Sequence, residues 1–356
     1  MNVYDVIIVG GGPAGAAAAT VTAKAGLSTL VLERAQFPRD KVCGDCLNPG
    51  AWTALHRLGI SQTIDALPSA RLEYVRFANS AGRSLELPLP VGERAEKGIR
   101  RKFFDDALLR NAASSGAEIR FGEPVIRVRF NSAWTVSTAS TSVEARFLVA
   151  ADGRNSTIAR LLGDFPTKKS NDRVSFQTHF PSSASPHVAL ELCEYGYMGL
   201  ATIGEGLMNL CLVCRPKHAD QFRREARKRF ELPSDHRWQS VTPLTRPSIR
   251  SDRQNLFYVG DAARVVEPFT GEGILYALRT GLLAGESIIR SLTGSIDAIA
   301  FFESNVGGVY RDRLWINRLA RLCVLHPRIS SYLLDIFRCS PGPLRYLTEK
   351  VVGKRC

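Results

Sequence analysis

The chain opens with a pattern of apolar positions that predicts a strand, a helix and a second strand. The segment from Val3 to Val9 is mostly apolar and rich in β-branched residues, as is typical of a central parallel strand. An alanine-rich segment then runs to about Ala25, Gly26 ends it, and the apolar run STLVLE closes at Glu33. This order predicts a β-α-β unit, the repeating element of a parallel sheet that is covered by helices.

The rest of the chain shows strand patterns followed by helical ones. Residues 117–151 are predicted to form short strands. Segments 72–90 and 172–216 have the alternation and turn signals of an antiparallel sheet that is built from two separated insertions. From about residue 297 the pattern is helical, interrupted by PGP at 341–343. The predicted fold class is therefore mixed α/β, with an antiparallel-sheet domain interleaved into the first domain and a helical C-terminal region.

Three glycines follow the first predicted strand in the spacing G-x-G-x-x-G, at positions 10, 12 and 15. The first permits a tight turn, the second lets backbone N–H groups approach a pyrophosphate, and the third lets the helix pack close to the strand. The positive end of the helix dipole then faces the phosphates, and Glu33 can accept hydrogen bonds from a ribose. A Rossmann-like dinucleotide site is predicted, with contacts from Gly10, Gly12, Pro13, Ala14, Gly15, Glu33 and Arg34.

Composition narrows the class of protein further. The chain has 356 residues and a formal net charge of +13, and its basic residues are spread without the pattern of a nucleic-acid-binding module. No apolar run reaches the roughly 18 residues of a membrane span. The start, MNVYDVIIVGGG, lacks a basic leading region and a cleavage site, so it is interpreted as a strand. A cytoplasmic protein without a nucleic-acid partner is expected, with peripheral contact to a membrane as the alternative.

Three separated segments together resemble the flavin-dependent hydroxylase and geranylgeranyl reductase superfamily (the p-hydroxybenzoate hydroxylase type), whose members bind FAD. The first segment is the glycine turn with Glu33. The second contains Asp152, Gly153, Ser156 and Arg160, and the third contains Gly260, Asp261, Pro268, Gly271 and Gly273. The resemblance extends from Val3 to about Ile289 and implies that all three segments bind one FAD.

The resemblance also implies roles for residues of the third segment. Asp261 would hold hydroxyls on the ribityl or ribose side of FAD, and the helix that begins near Gly271 would point at the pyrimidine edge of the flavin. Two-electron reduction places negative charge on that edge, which a helix N-terminus stabilises. The predicted cofactor contacts here are Gly260, Asp261, Pro268, Gly271, Glu272, Gly273 and Ile274, and those of the second segment are Asp152 and Gly153.

Two further segments place the chain within this superfamily. The run FPRDKVCG resembles the geranylgeranyl reductase-like branch, in which the cysteine–glycine segment lies close to the isoalloxazine ring. Cys43 and Gly44 are therefore predicted to face the flavin, with Arg39 and Lys41 as further cofactor contacts. Arg101 begins an R-x-x-F-D element and is predicted to lie near the phosphates.

One segment departs from that branch. Its reductases carry Y-G-W-x-F-P along a lipid cavity, whereas this chain has Tyr195-Gly196-Tyr197-Met198-Gly199-Leu200, without tryptophan or proline. Tyr195, Tyr197 and Met198 are predicted to line a substrate pocket, and a place in the core of the sheet is the alternative.

The implied domain limits follow from this order of segments. Residues 1–70, 98–165 and 250–295 would form a discontinuous FAD-binding domain, residues 71–97 and 166–249 a substrate domain, and residues 296–356 the C-terminal helical region.

Two pairs among the eight cysteines have C-x-x-C spacing. Cys211 and Cys214 lie in an alternating run, and residues three apart in a strand point to opposite faces, so a shared metal ion is not predicted. Cys43 and Cys46 leave two interpretations open: free thiols, or a redox disulfide that exchanges electrons with the flavin.

The leading hypothesis is an FAD-dependent oxidoreductase that transfers a hydride to or from a C=C bond of a small hydrophobic substrate such as a polyene or isoprenoid. NAD(P)H or another carrier would supply the electrons. The candidate catalytic residues are Cys43, Pro268 and Glu272, and Glu267 is a further candidate proton donor.

Two other functions remain as alternatives. A monooxygenase, of the hydroxylase or halogenase type, would use a flavin C4a-hydroperoxide in a dry pocket. A flavin-containing electron-transfer or binding subunit would dock through its C-terminal region, where RISSYLLDIFRC and LRYLTEKVV are amphipathic and basic like interfacial helices.

Overall fold

The computed structural model describes residues 3–166, 173–294, 296–311 and 313–352. The predicted segments 1–70, 166–249 and 296–356 each include residues outside these ranges. The mixed α/β class that the sequence predicts is confirmed by the strands and helices below.

The strands, numbered in chain order, are β1 Val3–Val9, β2 Thr29–Glu33, β3 Cys46–Leu47, β4 Ser69–Leu72, β5 Tyr74–Asn79, β6 Ser84–Pro88, β7 Glu96–Ile99, β8 Glu118–Phe121, β9 Arg127–Phe130, β10 Trp134–Ser137, β11 Ser142–Ala150, β12 Val174–Pro181, β13 His187–Cys193, β14 Gly196–Thr202, β15 Leu207–Cys214, β16 Gln239–Val241 and β17 Leu256–Tyr258. The helices are α1 Pro13–Lys24, α2 Ala51–Leu58, α3 Ser61–Asp65, α4 Arg101–Ser114, α5 Thr157–Leu161, α6 Ala219–Arg229, α7 Gly273–Thr293, α8 Ala298–Tyr310, α9 Leu314–Leu325, α10 Pro327–Cys339 and α11 Gly342–Val352.

The first sheet is mainly parallel, and its central strands come from distant parts of the chain. Strand β1 lies between β2 and β11, and β17 pairs with β11, all in parallel. Strand β8 extends the parallel part beyond β2, whereas β10 and β9 continue antiparallel beyond β11. Because parallel strands end at the same edge of a sheet, the loops after β1, β11 and β17 lie side by side.

Small residues allow the helices of this sheet to pack closely. The buried face of α1 consists mainly of alanines, and α7 crosses it. A Cβ atom at Gly281 of α7 would lie 2.1 Å from the carbonyl oxygen of Ala14, so only glycine permits this approach. The contact joins the third predicted segment to the first.

The second sheet combines two separated segments of the chain. Its strand order is β16-β12-β15-β14-β13-β5-β6, with β5 and β6 from the earlier segment and the others from the later one. The two segments meet where β5 pairs in parallel with β13. The strands just before and after β5 and β6 in the chain form a separate three-stranded sheet, in the order β3-β7-β4.

The two faces of the second sheet carry different helices. Helix α6 packs on one face through Phe222 and Ala226, which are buried among residues of β12 and β15. Helices α9 and α10 contact strands β5, β6, β13 and β14 of the sheet, and α10 also contacts α11. An apolar cavity lies between these C-terminal helices and the sheet.

Candidate functional site

The glycine turn after β1 contains glycines with different roles. Gly10 has φ +104°, and a Cβ atom there would lie 2.5 Å from the carbonyl oxygen of Ala151. A Cβ atom at Gly15 would lie 1.9 Å from the carbonyl oxygen of Gly10. At Gly12, by contrast, the nearest atom is Nη2 of Arg39, at 3.9 Å. The protein's own packing therefore requires Gly10 and Gly15, whereas Gly12 leaves open space at the N-terminus of α1.

Glu33 at the end of β2 lies against this turn. Its buried carboxylate accepts hydrogen bonds from the backbone N–H of Gly11 (2.7 Å) and of Ala35 (2.9 Å). Pro13 occupies the first turn of α1, where its missing N–H removes no helical hydrogen bond, and Ala14 is buried beside it. Arg34 is exposed.

The second segment, after β11, presents a carboxylate oxygen without a hydrogen-bond partner. Asp152 accepts a hydrogen bond from the N–H of Ile158 (3.0 Å) through Oδ2, while Oδ1 is buried and has no partner among the described residues. Burial raises the pKa of Asp152 despite that hydrogen bond. Ser156 caps α5, and the Arg160 guanidinium lies 4.8 Å from the centre of the Phe165 ring.

The third segment, after β17, lies directly against the first. Gly260 has φ +57°, and a Cβ atom there would lie 2.9 Å from Cβ of Ala14. The carboxylate of Asp261 forms an ion pair with Arg154 at 3.2 Å. Burial alone would raise the pKa of Asp261, but Arg154 and Lys41 outweigh burial and hold the pKa below its usual value.

Basic side chains gather beside the open space at Gly12. Arg101 forms two hydrogen bonds of 2.7 Å with Asp105, and Arg39 lies 3.2 Å from the same carboxylate. Burial and the nearby Arg101 lower the pKa of Lys41 to about 8. An anionic group at the helix N-terminus would meet both the helix dipole and these cations.

The three predicted segments and Glu33 therefore converge at one edge of the first sheet. The open Gly12, the unpartnered oxygen of Asp152 and the basic cluster match a dinucleotide with a hydroxylated ribose and a pyrophosphate.

An apolar cavity of about 430 Å³ begins beside this edge. Cys43, Gly44, Arg154, Pro268 and Gly271 line the end near the cofactor residues. The remaining wall comes from the second sheet and the C-terminal helices, and its apolar members include Val75, Phe77, Leu89, Val188, Leu190, Leu192, Tyr197, Leu200, Ala201, Val213, Leu244, Phe269, Ile316, Leu319, Leu333, Leu334, Phe337, Leu344, Leu347 and Val351.

A buried polar network holds the backbone of Cys43 and Gly44. Gln177 accepts a hydrogen bond from the N–H of Cys43 (3.0 Å), and Asn209 donates one to the carbonyl of Gly44 (2.9 Å). Asp45 lies 2.7 Å from Nε2 of His179 and accepts from Gln177 at 2.9 Å. Sequence reasoning missed this network, because its members on β12 and β15 are distant in the chain and have no local motif.

The thiols near this network are free. Cys46 donates a hydrogen bond to the carbonyl of Gly44 (3.3 Å), and Cys211 donates one to the carbonyl of Cys43 (3.3 Å). Burial raises the pKa of the Cys46 thiol well above its usual value. Cys211 lines the cavity whereas Cys214 is buried against α6, so the two lie on opposite faces of β15.

Of the three residues that the sequence predicts to line the substrate pocket, two do not line the cavity. Tyr197 lines the cavity, but its neighbour Met198 is buried on the opposite face of β14, with Phe176 and Leu212. Tyr195 precedes β14 and packs against the rings of His218 and Phe222, also on the opposite side. Side chains alternate between faces in a strand, so Tyr197 and Met198 cannot both face the cavity.

The two glutamates of the third segment do not line the cavity. Glu272 is buried and accepts hydrogen bonds from Arg313 (2.9 Å), Asn317 (2.8 Å) and the Tyr276 hydroxyl (3.0 Å). Glu267 forms a buried ion pair with Arg173. The prediction that Glu272 is catalytic is therefore corrected: its carboxylate ties α9 to the start of α7, where Gly273 and the buried Ile274 follow it.

Glu96 is a cavity residue that the sequence did not reveal. It begins β7, lines the cavity and is 8% exposed. Burial raises its pKa to about 7. A single acid in a short strand gives no local signal, since it reaches the cavity only when the three-stranded sheet packs against the second sheet.

Comparison with known proteins decides the identity of the cofactor. The family model described as an FAD binding domain matches residues 3–298. The chain belongs to this FAD-binding family. It binds FAD, and the sequence resemblance to FAD-dependent reductases is confirmed.

Several of the curated relatives are named reductases, and one is named a tryptophan 2-halogenase, from Chondromyces crocatus. The menaquinone reductase of Mycolicibacterium smegmatis is 31% identical over 312 residues, which cover 79% of this chain and 75% of the relative. The digeranylgeranylglycerophospholipid reductase of Methanosarcina acetivorans is 26% identical over 320 residues, which cover 82% and 76%. The protein is an FAD-dependent oxidoreductase of the geranylgeranyl reductase and menaquinone reductase type.

Solved structures share the fold over nearly the whole chain. A geranylgeranyl bacteriochlorophyll reductase-like protein from Thermoplasma acidophilum has a TM-score of 0.79 at 22% identity and covers 100% of this chain and 94% of its own. A flavin-dependent brominase has a TM-score of 0.81 at 21% identity and covers 99% and 94%. At these identities the likeness concerns the fold.

Membrane-spanning helices and metal-binding clusters are both absent from the described residues. No helix there is both long and apolar enough to cross a bilayer. No cluster of three or more His, Cys, Asp or Glu side chains in those ranges is arranged to hold a metal ion.

Proposed function

We propose that the protein transfers a hydride from reduced FAD to a C=C bond of an isoprenoid or polyene lipid. The observation that carries this proposal is the apolar cavity, which runs from Cys43, Gly44 and Pro268 to the C-terminal helices. Its volume of about 430 Å³ lies within the range of roughly 300–1,000 Å³ that ligand pockets have. Burial of a hydrocarbon chain there supplies binding free energy in proportion to the apolar area removed from water.

The names of the reductases among the relatives support this class of substrate. A menaquinone and a digeranylgeranyl phospholipid, the compounds in those names, both carry isoprenoid chains with C=C bonds. The wall of the cavity contains branched aliphatic side chains from β5, β13 and β15 and aromatic ones such as Phe77 and Phe269. Such a wall suits a flexible hydrocarbon better than a polar substrate.

Two elements of the chain would serve the reaction at the near end of the cavity. FAD supplies the hydride when it is reduced and takes one up when it is oxidised. The N-terminus of α7, after Gly271, would stabilise negative charge on the flavin ring. The backbone of Cys43 and Gly44, held by Gln177 and Asn209, would form one wall beside the ring. Tight apolar walls would exclude water from the reacting carbons.

The test is anaerobic. Protein reduced by dithionite or by NAD(P)H is mixed with a menaquinone or a geranylgeranyl lipid, and the oxidised flavin band is followed. The proposal predicts return of that band together with a product that has gained two hydrogens by mass spectrometry. A flavin that stays reduced with every polyunsaturated lipid tested would refute it, and the comparison of NAD(P)H with dithionite identifies the electron donor.

Oxygen transfer is a second candidate, since a halogenase is among the curated relatives. The same reduced protein is mixed with O2 in the presence of the lipid. An oxygenated product, with no saturated one under anaerobic conditions, would favour the second candidate.

A further inference from the structure

One carboxyl group faces the apolar cavity and lacks a partner. Glu96 is the only carboxylic acid among the described residues that line the cavity, and it is 8% exposed. The next residue, Lys97, turns away and pairs with Asp65 at 2.6 Å. No described residue is hydrogen-bonded to the Glu96 carboxyl, and desolvation alone raises its pKa, to about 7.

The position of Glu96 links it to the end of the cavity near the cofactor. Gly98 of β7 pairs with Cys46 of β3, and the Cys46 thiol donates a hydrogen bond to the carbonyl of Gly44. Cys46 is the titratable neighbour of Glu96 on this sheet, and burial raises its pKa so that it is neutral at pH 7. A neutral Glu96 is then a group of the cavity wall that can release a proton near neutral pH.

We propose that Glu96 is the proton donor of the reduction. This inference rests on the proposed function. One carbon of the C=C bond receives the hydride from reduced FAD, which becomes oxidised. The other carbon receives the proton of Glu96, which is left as a carboxylate and regains a proton from water. Two electrons and one proton from FAD and one proton from Glu96 account for the saturated product.

The burial of Glu96 gives the inference a readout that does not depend on activity. Because the folded state raises its pKa above the unfolded value, the carboxyl lowers stability as the pH rises from about 4.5 to about 7. A glutamine at this position has no charge to bury. Glu96→Gln should therefore melt at a higher temperature than the parent at pH 8, by about 3 °C or more, and show a smaller difference at pH 5.

The kinetic test uses Glu96→Gln and Glu96→Asp, with the exposed Glu73→Gln as the matched control. Reoxidation of pre-reduced protein by the lipid should slow by about a hundredfold or more in Glu96→Gln, the usual effect of losing a general acid. Lipid affinity of the oxidised protein should change little, Glu96→Asp should recover part of the rate, and the control should match the parent. A parent rate and parent pH profile in Glu96→Gln would overturn the proposal. If the parent itself reduces no lipid, the proposed function fails first and Glu96 has no donor task.

A second inference comes from the outer side of the C-terminal helices. Six large apolar side chains are exposed there: Trp315, Leu319 and Leu322 on α9 and Ile329, Tyr332 and Ile336 on α10. We call this set the C-terminal apolar face. The three on α9 and the three on α10 follow helical spacing, so each trio lies on one side of its helix. A neighbouring side of each helix lines the cavity, through Ile316, Ala320 and Cys323 on α9 and Ser330, Leu334 and Phe337 on α10.

Basic side chains flank this face. Arg318, Arg338, Arg345 and Lys350 are exposed on α9, α10 and α11. The acidic Asp335 is neutralised by an ion pair with Arg83 at 2.9 Å. Apolar side chains with tryptophan and tyrosine, edged by arginine and lysine, match the acyl boundary and the anionic headgroups of a membrane.

We propose that the C-terminal apolar face docks on an anionic lipid bilayer. Leu319 is 38% exposed and also lines the cavity, so the face and the cavity wall meet at this residue. A lipid chain would then enter the cavity from the bilayer without crossing water. The docking itself does not depend on which reaction the cavity supports.

The test is flotation of the holoprotein with vesicles of phosphatidylglycerol and phosphatidylcholine. Leu322→Ser with Ile336→Ser should reduce the bound fraction about tenfold, and so should Arg338→Gln with Arg345→Gln. The matched control is Ile126→Ser with Arg127→Gln, since Ile126 is 57% and Ile336 58% exposed. Brominated lipids should quench the half-exposed Trp315, and Trp315→Phe should abolish that quenching.

Binding that persists in the face variants, or no binding at low salt, would overturn the docking proposal. So would self-association of the parent in sedimentation that Leu322→Ser removes, since the face would then join two copies of the chain.

Discussion

The cofactor edge of the first sheet and the apolar cavity beside it are formed in different ways. The edge consists of turns that follow adjacent parallel strands, and its key contacts are backbone atoms at Gly10, Gly12 and Gly260. The cavity consists of side chains from the second sheet, the three-stranded sheet and three helices, which come from several separate segments of the chain. A substitution at the edge should therefore weaken FAD binding, whereas a substitution in the cavity wall should impair reaction with the lipid substrate.

The largest effect, a loss of FAD affinity, is expected from a substitution at Gly12. Gly12→Val places a side chain in the space where the pyrophosphate is expected, with no protein atom nearer than 3.9 Å to its Cβ. FAD affinity should fall about a hundredfold or more, equal to roughly 2.7 kcal/mol, while the apoprotein melts as the parent does. Flavin content and thermal unfolding measure both. Gly10→Val is the contrasting variant, since its Cβ would clash with Ala151 and the fold should fail. Full FAD occupancy in Gly12→Val would contradict the assignment of the turn.

The second-largest effect is expected from a substitution that fills the cavity and should slow lipid reduction. Gly199 lines it, and a Cβ atom there has no neighbour closer than 3.8 Å, so Gly199→Phe fills the cavity without displacing backbone. Lipid reduction should fall about tenfold or more, since even small misplacement of a substrate is costly, while the flavin spectrum and FAD affinity stay unchanged. A parallel loss of FAD would show that the two regions are not separable. Gly196→Phe is unsuitable as a control, because its Cβ would lie 1.8 Å from the carbonyl of Val213.

A smaller effect should appear in the pH dependence of FAD binding. In the protein without FAD, the pKa of Lys41 is lowered to about 8 by burial and by Arg101. An anionic cofactor favours the protonated amine and so raises that pKa, which means that binding takes up a proton above pH 8. FAD affinity should weaken about tenfold between pH 7 and pH 9.5. Titration calorimetry of Lys41→Met should show weaker FAD binding at pH 7 and little dependence of the affinity on pH. An affinity that still falls with pH as in the parent would exclude Lys41 as the group that titrates.

The smallest effect is expected on the KM for lipid, when substitutions on the two faces of β14 are compared. Met198→Leu, on the face away from the cavity, should leave the KM for lipid within about twofold of the parent. Tyr197→Leu, on the cavity face, should raise the KM several-fold with FAD content unchanged. Steady-state kinetics on both variants decides this, and equal effects would mean that the alternation of faces has been misassigned.

The same difference between the edge and the cavity explains which site residues could be predicted from the sequence. The glycine turn, Asp152 and Asp261 are recognisable because each follows a strand directly, and parallel strands bring their ends to one edge. Met198 was assigned wrongly because an alternating pattern shows that two faces differ but not which of them meets the cavity. Tyr195 was assigned wrongly because it precedes β14, where the alternation does not apply, and it packs against His218 and Phe222.

Other site residues could not be predicted at all. Glu96 and the pair of Asp45 and His179 carry no local signal, and they acquire their environment only when separate sheets pack together. The burial of Glu272 against α9 likewise depends on Arg313 and Asn317, which are about 40 residues further along the chain.

The most direct test of the whole account is a single anaerobic turnover with equal amounts of reduced holoprotein and an isoprenoid lipid. The account predicts that each flavin reoxidised yields one lipid molecule with one C=C bond saturated. Flavin reoxidation without a saturated product, or no reoxidation until O2 is admitted, would contradict it.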